Sequence, residues 1–169
     1  MITIISGTNR LGSNTRKVAH EYQRILTEKG TKAQFLSLED LHSIKRDEAF
    51  EKIEQEFLIP TTAYILVLPE YNGSLPGIFK LLVDNSKPAD AWHNKKALLV
   101  GTATGKAGNL RGLDHTTNIL NHLKITVHPN KLPLSVVHTL LNENGKFNND
   151  ETLAAINLQI DDFLKWAEE

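Results

Sequence analysis

Short apolar runs that alternate with stretches of helical spacing are the feature that most limits what this chain can fold into. Five runs stand out, at residues 2–5, 32–38, 61–68, 97–102 and 125–128. The third, TTAYILVL, is almost continuously apolar, as expected of a parallel strand that is covered on both faces. Strands that alternate with helices and connect by right-handed crossovers build one parallel sheet with helices on both sides. The sequence therefore predicts a three-layer α/β sandwich around a five-stranded parallel sheet.

The helical spacing lies between these runs. Val18, Tyr22, Ile25 and Lys29 recur every three or four residues within 13–29, and Gly30 follows as a stop signal. Further helices are predicted at 76–83, at 110–123 and along the apolar stripe of residues 153–167. Residues 40–57 are predicted to be partly helical, and 134–137 is a candidate for a short additional strand.

Size and composition exclude several classes of protein. The 169 residues fit one domain spanning 1–169, and Lys plus Arg (19) nearly balances Asp plus Glu (20). We therefore expect no nucleic-acid or membrane partner. The chain has no cysteine and its seven histidines are scattered, so no metal site is predicted. The longest apolar stretch, 63–69, is far below the roughly 20 residues that span a bilayer, and no signal peptide is recognisable at the start. A cytoplasmic location is expected.

Parallel sheets bind ligands beyond the carboxyl ends of their strands, so the loops after the first, third and fourth strands are the places to look for a site. The first loop, residues 6–16, carries hydroxyls, an amide, a guanidinium and two glycines just before a helix. Such donors at a helix N-terminus suit a phosphate monoester. The alternative is that Ser13 or Asn14 only caps the helix and Arg10 is solvated.

The second loop, residues 69–76, places an aromatic ring before Asn-Gly-Ser, and the third loop, residues 102–109, is rich in glycine. The second loop could offer a flat surface with several donors, or Asn72-Gly73 could be only a turn with Tyr71 packed in the core. The third loop could expose backbone amides to a ligand or be an ordinary surface loop. The sequence contains no GxGxxG, so the dinucleotide-binding fingerprint is absent. The nearest match to a P-loop, residues 101–107, is one residue short between its glycines and has Ala107 after the lysine.

These loops resemble those of the NADPH-dependent FMN reductase family. Gly7-Thr8-x-Arg10-x-x-Ser13-x-Thr15 is similar to the family's GS-x-R-x-x-S-x-N phosphate loop, and residues 69–77 (PEYNGSLPG) to its PEYNGSxPG flavin loop. Lys80 and Asp84 follow in the family's pattern, and Gly105, Gly108 and Arg111 resemble its third flavin segment. The resemblance implies a flavodoxin-like fold.

The resemblance also implies a set of FMN-binding residues. The phosphate would be held by Thr8, Arg10, Ser13, Asn14 and Thr15. The isoalloxazine edge would be lined by Pro69, Glu70, Tyr71, Asn72, Gly73 and Ser74. The pyrimidine side would be closed by Thr102, Thr104 and Gly105.

The implied activity is hydride transfer from NADPH or NADH, through flavin N5, to a quinone, an azo dye, a metal oxyanion or free flavin. Because the cofactor carries this chemistry, no catalytic side chain is predicted, and Glu70 is expected to orient its surroundings. A homodimer or homotetramer acting on a small-molecule acceptor is implied. Two alternatives stay open. One is a non-enzymatic electron carrier of the same fold, and the other is a family member that has lost flavin binding, which is suggested by Thr15 and Asn85, where the chain departs from the family pattern. A phosphoacceptor receiver domain fits less well, because the first strand runs into Ser6-Gly7-Thr8 rather than an acidic cluster.

Overall fold

The computed structural model describes residues 1–41 and 45–169, and its strands follow the predicted runs closely. Residues 42–44 of the segment predicted to be partly helical lie outside the described residues. The strands are β1 (Ile2–Ser6), β2 (Ala33–Ser37), β3 (Ala63–Pro69), β4 (Lys96–Thr102), β5 (Thr126–Val127) and β6 (Leu132–Leu134).

All strand pairs are parallel, in the order β2-β1-β3-β4-β5. This is the order of flavodoxin-like sheets, with its switch point between β1 and β3. The register sets Ser6 opposite Val67 and Pro69 opposite Thr102. The carboxyl ends of β1, β3 and β4 therefore lie at one edge of the sheet, and the predicted fold class is confirmed.

The outer edge of the sheet differs in detail from the prediction. β5 pairs with the start of β4 and β6 with its end, so the two short strands together occupy one edge position. Pro133 fits there because an edge strand needs no donor on its open side. The short additional strand predicted at 134–137 exists but lies earlier, at Leu132–Leu134. It ends there because Val136 has φ +48°, which breaks the extended backbone before a 3-10 turn at Val137–Thr139.

The helices also agree with the spacing, with one addition. They are α1 (Asn14–Glu28), α2 (Glu48–Ile53), α3 (Gly77–Asn85), α4 (Pro88–Ala91), α5 (Leu110–His122) and α6 (Asp150–Glu168). The sequence spacing did not predict α4. That turn is fixed by tertiary contacts, since Ala91 and Trp92 are fully buried and the hydroxyl of Tyr64 donates to the Ala91 carbonyl over 2.7 Å. None of the helices in the described ranges combines the length and apolar character needed to cross a bilayer.

Two apolar clusters cover the two faces of the sheet. Because successive side chains of a strand point to opposite faces, Ile65 and Val67 of β3 pack with α1 and α6, and Tyr64 and Leu66 pack on the other side. α3, α5 and the segment of α2 supply the apolar residues on that second side. Burial on both faces explains why β3 is apolar throughout.

A buried carboxylate anchors α2 to the connection between α3 and α4. A π-helical turn, Glu54–Leu58, continues α2, and the side chain of Glu54 is only 1% exposed. Its oxygens accept from the Arg46 guanidinium at 2.6 Å and from the Lys87 backbone N–H at 2.5 Å. Burial by itself would raise the pKa of Glu54, but the bonds from Arg46 and Lys87 outweigh burial and hold that pKa below its ordinary value.

The buried Glu54 carboxylate predicts how the stability of the fold depends on pH below neutrality. A carboxyl whose pKa is lower in the folded than in the unfolded chain stabilises the fold above its unfolded pKa, near 4.5, and loses that contribution as the pH falls through the folded pKa. We expect the Glu54→Gln variant to show a shallower fall of unfolding free energy below about pH 4.5 than the parent chain. Denaturant unfolding between pH 3 and 7 measures this.

Glu56→Gln is the matched control, because Glu56 lies in the same turn and is exposed. This variant should keep the parent's acid dependence. A Glu54→Gln variant with the parent's full acid slope would contradict the assignment.

Candidate functional site

The first, second and third loops meet where β1, β3 and β4 end. Thr8 Oγ1 in the first loop lies 2.5 Å from the hydroxyl of Tyr71 in the second, and Thr15 Oγ1 lies 2.8 Å from Thr102 Oγ1 at the end of β4. The Glu70 N–H donates to the Thr102 carbonyl over 3.0 Å, which extends the β3–β4 pairing into the loops. Direct hydrogen bonds thus tie the three loops into one unit.

An inner cavity of about 230 Å³ lies between these loops and the start of α1. Most of the lining side chains are polar or charged, and Leu11, Pro69, Ala103 and Val137 supply apolar surface. The full lining consists of Arg10, Leu11, Ser13, Asn14, Thr15, Pro69, Glu70, Tyr71, Thr102, Ala103, Thr104 and Val137.

The N-terminus of α1 opens into the inner cavity. The first N–H groups of a helix have no intrahelical acceptor. The Ser13 hydroxyl accepts from Arg16 N–H at 3.1 Å and the Ser13 carbonyl from Lys17 N–H at 3.2 Å, which leaves the N–H groups of Asn14 and Thr15 for a ligand. Ser13 therefore does cap the helix, as the structural alternative held, but the cap does not use up the donors. No acidic residue lies in this first turn, so the helix dipole favours an anion there.

Arg10 is held at the mouth of the inner cavity by an aromatic ring. Its guanidinium carbon lies 4.1 Å from the centroid of the Tyr71 ring, within the range of a cation–π contact. Tyr71 is half-buried beneath it and is not a core residue. Arg10 is exposed, but it contacts Tyr71 and lines the inner cavity, so it is more than a solvated surface cation.

The second loop closes in a tight turn. The N–H and carbonyl groups of Tyr71 and Ser74 bond each other at 2.9 and 3.1 Å, and Asn72 and Gly73 both have positive φ. These are the dihedral signs of a type I′ turn, for which Asn-Gly is the preferred pair. The turn exposes Asn72 and Gly73 toward an outer cavity of about 340 Å³, which shares Glu70, Ala103 and Thr104 with the inner cavity. Gly105, Lys106 and Ala107 of the third loop form its opposite wall.

The ion pair between Glu70 and Arg111 joins the second loop to α5. Arg111 Nη1 lies 3.6 Å from Glu70 Oε1, and the carboxylate is 18% exposed. Among the described residues that line the two cavities, Arg10 and Lys106 are cationic and Glu70 is anionic. A second carboxylate, that of buried Glu39, accepts from the Ser13 hydroxyl at 3.4 Å and is paired with Arg16. Because each carboxylate is offset by its own arginine, Arg10 and Lys106 leave surroundings that favour an anionic ligand.

The third loop approaches β4 so closely that two glycines are required. A methyl group on Gly101 would lie 2.2 Å from the Gly108 carbonyl oxygen, and one on Gly108 (φ +58°) would lie 2.7 Å from Pro133. Asn109, fully buried and also at positive φ, donates through Nδ2 to the Leu68 carbonyl at 2.8 Å. The loop is thus packed against the sheet and is not a loose surface loop.

The wall behind the inner cavity comes from Val136 and Val137, a segment that the sequence indicated only as part of a candidate strand and not as part of the site. Val137 lines the cavity, its N–H donates to the Ala103 carbonyl at 3.0 Å, and the N–H of Val136 donates to the Gly105 carbonyl at 3.1 Å. Val136 is β-branched at positive φ, a conformation that persists only when surrounding contacts hold it. No local pattern reveals this role, since it depends on pairing with a loop about 30 residues earlier.

Most residues predicted to bind FMN line one of the two cavities. The inner cavity includes Arg10, Ser13, Asn14, Thr15, Pro69, Glu70, Tyr71, Thr102 and Thr104, and the outer cavity includes Glu70, Asn72, Gly73, Thr104 and Gly105. Thr8 and Ser74 lie outside both linings: Thr8 is buried beneath Tyr71, and Ser74 faces α5. Leu11, Ala103, Val137, Lys106 and Ala107 join the linings without having been predicted. Within the described ranges, no three His, Asp or Glu side chains are arranged to hold a metal ion.

In sequence and in fold, this chain is similar to known flavin and quinone reductases. The sequence model of the NADPH-dependent FMN reductase family matches residues 1–139. A 2-hydroxy-1,4-benzoquinone reductase from a Burkholderia species is 23% identical over 98% of this chain and 94% of its own length. A quinone reductase from Pseudomonas putida is 25% identical over 98% and 93%. The solved structure of a flavoenzyme NAD(P)H:(acceptor) oxidoreductase from Paracoccus denitrificans superposes with a TM-score of 0.79 at 20% identity, covering 99% of this chain and 96% of that one.

The close approach of the third loop predicts a large difference between two glycine substitutions. Gly101→Ala should lower the free energy of unfolding by about 1–3 kcal/mol, because its methyl group overlaps backbone that cannot move without disturbing the loop. Gly77→Ala, at the start of α3 with open space around it, should leave stability unchanged or raise it by up to about 1 kcal/mol. Urea unfolding of the two variants measures this, and equal stabilities would contradict the described packing.

Proposed function

We propose that this chain, which belongs to the NADPH-dependent FMN reductase family, holds FMN across the inner and outer cavities and reduces quinones with NAD(P)H. The observation that carries the proposal is the joining of a helix N-terminus, Arg10 and several hydroxyls in one cavity, which shares three lining residues with a second cavity that includes two glycines and two alanines. The first is suited to a phosphate and the second to a flat ring system.

The donors of the inner cavity fit a phosphate monoester. The N–H groups of Asn14 and Thr15 and the guanidinium of Arg10 supply charge-assisted hydrogen bonds. The hydroxyls of Thr15 and Thr102 share one hydrogen bond, which uses one of their two hydrogens and leaves the other for the ligand. Thr15, which replaces the family's asparagine, is therefore compatible with the site. We assign Thr8 a supporting part, because its hydroxyl fixes Tyr71 beneath Arg10.

The outer cavity fits a planar heterocycle with a polar edge. Backbone near Gly73 and Gly105 presents no bulky side chain, and Asn72 and Thr104 add polar groups. Bound FMN would supply the capacity to accept a hydride from NAD(P)H and to return two electrons to an acceptor. The residues of this chain bind and orient the group, and Glu70, paired with Arg111, orients the second loop.

A quinone is the acceptor class that the comparisons favour. Two relatives that this chain matches along nearly their whole length are named for quinone reduction. We extend that substrate class to this chain and propose that it acts as a homo-oligomer in the cytoplasm. Azo dyes, metal oxyanions and free flavin are the other acceptors to compare with it.

The visible absorption spectrum of the full-length protein, taken after FMN is added and excess is removed, tests the proposal. We expect bound flavin bands, and NAD(P)H oxidation that depends on an added quinone. Arg10→Ala should weaken FMN binding by at least about tenfold, because one charge-assisted hydrogen bond contributes roughly 1.5–3 kcal/mol. Lys32→Ala is the matched control: it removes one exposed positive charge just before β2, at the opposite edge of the sheet, and should bind FMN as the parent does.

The outcomes separate the alternatives. A protein that retains no FMN would contradict the proposal and favour a member that has lost its cofactor. Retained FMN without NAD(P)H oxidation would favour an electron carrier. Equal FMN affinity in Arg10→Ala and Lys32→Ala would contradict the placement of the phosphate.

A further inference from the structure

A hydroxyl and an imidazole meet next to the second loop, outside the linings of the inner and outer cavities. Ser74 Oγ lies 2.8 Å from His115 Nδ1, although the two residues are 41 positions apart. Ser74 is fixed by its two backbone bonds with Tyr71, and His115 by its place in the middle of α5. Both side chains are therefore held on rigid elements.

The pair lies in a side groove of about 470 Å³, lined by Ser74, Leu75, Lys80, His115, Asn118 and Ile119. Leu75 and Ile119 give it an apolar surface, and Ser74 and His115 give it a polar end. Lys80 also borders the groove, but Asp84 neutralises its charge through contacts of 2.5 and 2.7 Å. Such a groove suits a flat molecule with an apolar ring and a carbonyl oxygen, which is the chemistry of a quinone.

The side groove adjoins the outer cavity through the chain itself. Gly73 lines the outer cavity, and Ser74, the next residue, lines the groove. Arg111, one turn before His115 on α5, pairs with Glu70, which lines both cavities. The outer cavity and the side groove are thus lined by consecutive residues of the second loop.

Quinone reduction has a proton requirement that this pair can meet. The overall reaction joins a quinone, NAD(P)H and one proton to give a hydroquinone and NAD(P)⁺. The hydride from NAD(P)H carries both electrons and one of the two hydrogens, so one proton must also reach a quinone oxygen. A protonated imidazole can donate through Nδ1 to the serine oxygen while the serine hydroxyl donates to the quinone, and the exposed imidazole is then re-protonated from water.

We propose that the side groove is the acceptor site and that His115, acting through Ser74, supplies this proton. The inference rests on the proposed function. Ser74 is the group that touches the quinone oxygen, and His115 is the positioning residue behind it. Two charged residues lie close to His115 along α5, Arg111 and Asp114, and Lys80 of α3 lines the same groove.

The kinetic test compares two electron acceptors in the FMN-loaded full-length protein. 1,4-Benzoquinone needs protons on reduction, whereas ferricyanide takes up one electron and no proton. His115→Gln should lower kcat with benzoquinone by about tenfold or more and leave the ferricyanide rate within about twofold of the parent. Added imidazole should restore benzoquinone turnover in His115→Ala, because the position is exposed.

His122→Gln is the matched control, since His122 lies seven residues along the same helix, is exposed and does not line the side groove. It should leave both rates unchanged. A second readout does not depend on turnover: in FMN-loaded protein labelled at histidine, NMR signals of the His115 ring should shift when hydroquinone is added, and those of His122 should not.

The outcomes distinguish this inference from the proposed function. If the parent chain reduces ferricyanide but His115→Gln lowers neither rate or lowers both equally, the acceptor assignment is overturned and the proposed function stands. An unmoved His115 signal at millimolar hydroquinone would overturn it as well. If the parent chain holds no FMN, the proposed function fails and this inference fails with it.

Discussion

The parallel pairing of β1 with β3 and of β3 with β4 is the constraint on which the rest of the structure depends. The register places Ser6 beside Val67 and Pro69 beside Thr102, so three strands end together and their loops must share one edge. Apolar side chains on both faces fix that register, because a slip of one residue would turn Ile65 and Val67 from one helical layer to the other. The cavities are therefore a consequence of the core as much as of the loops that line them.

The loops add order that the sheet alone would not provide. Hydrogen bonds link Thr8 to Tyr71 and Thr15 to Thr102, and buried Asn109 holds the third loop to β3. The backbone around Val137 closes the cavity from behind through bonds to Ala103 and Gly105. A site that is assembled before its ligand arrives avoids much of the cost of ordering loops on binding. Thr15 and Thr102 fit such a site, because they hold each other through one hydrogen bond and still keep one hydroxyl hydrogen to donate.

The sequence predicted the sheet, most helix bounds and the three loops that line the two cavities, because these follow from local spacing and from the geometry of parallel strands. It could not predict what depends on distant contacts. The turn at Pro88–Ala91 forms because Ala91 and Trp92 are buried against Tyr64, and β6 ends early because Val136 adopts positive φ to meet the third loop. Likewise Thr8 and Ser74 carry the right chemistry for the site, but only the packing places Thr8 beneath Tyr71 and Ser74 against His115.

The central claim is that the N-terminus of α1 and Arg10 recognise a phosphate at the end of a parallel sheet. The most direct measurement is to compare the dissociation constants of FMN and riboflavin for the cofactor-free protein, since the two ligands differ only in that phosphate. We predict that FMN binds at least about 100-fold more tightly, which corresponds to roughly two charge-assisted hydrogen bonds. Equal affinities for the two ligands would contradict the account, because the donors gathered at the inner cavity would then contribute nothing to binding.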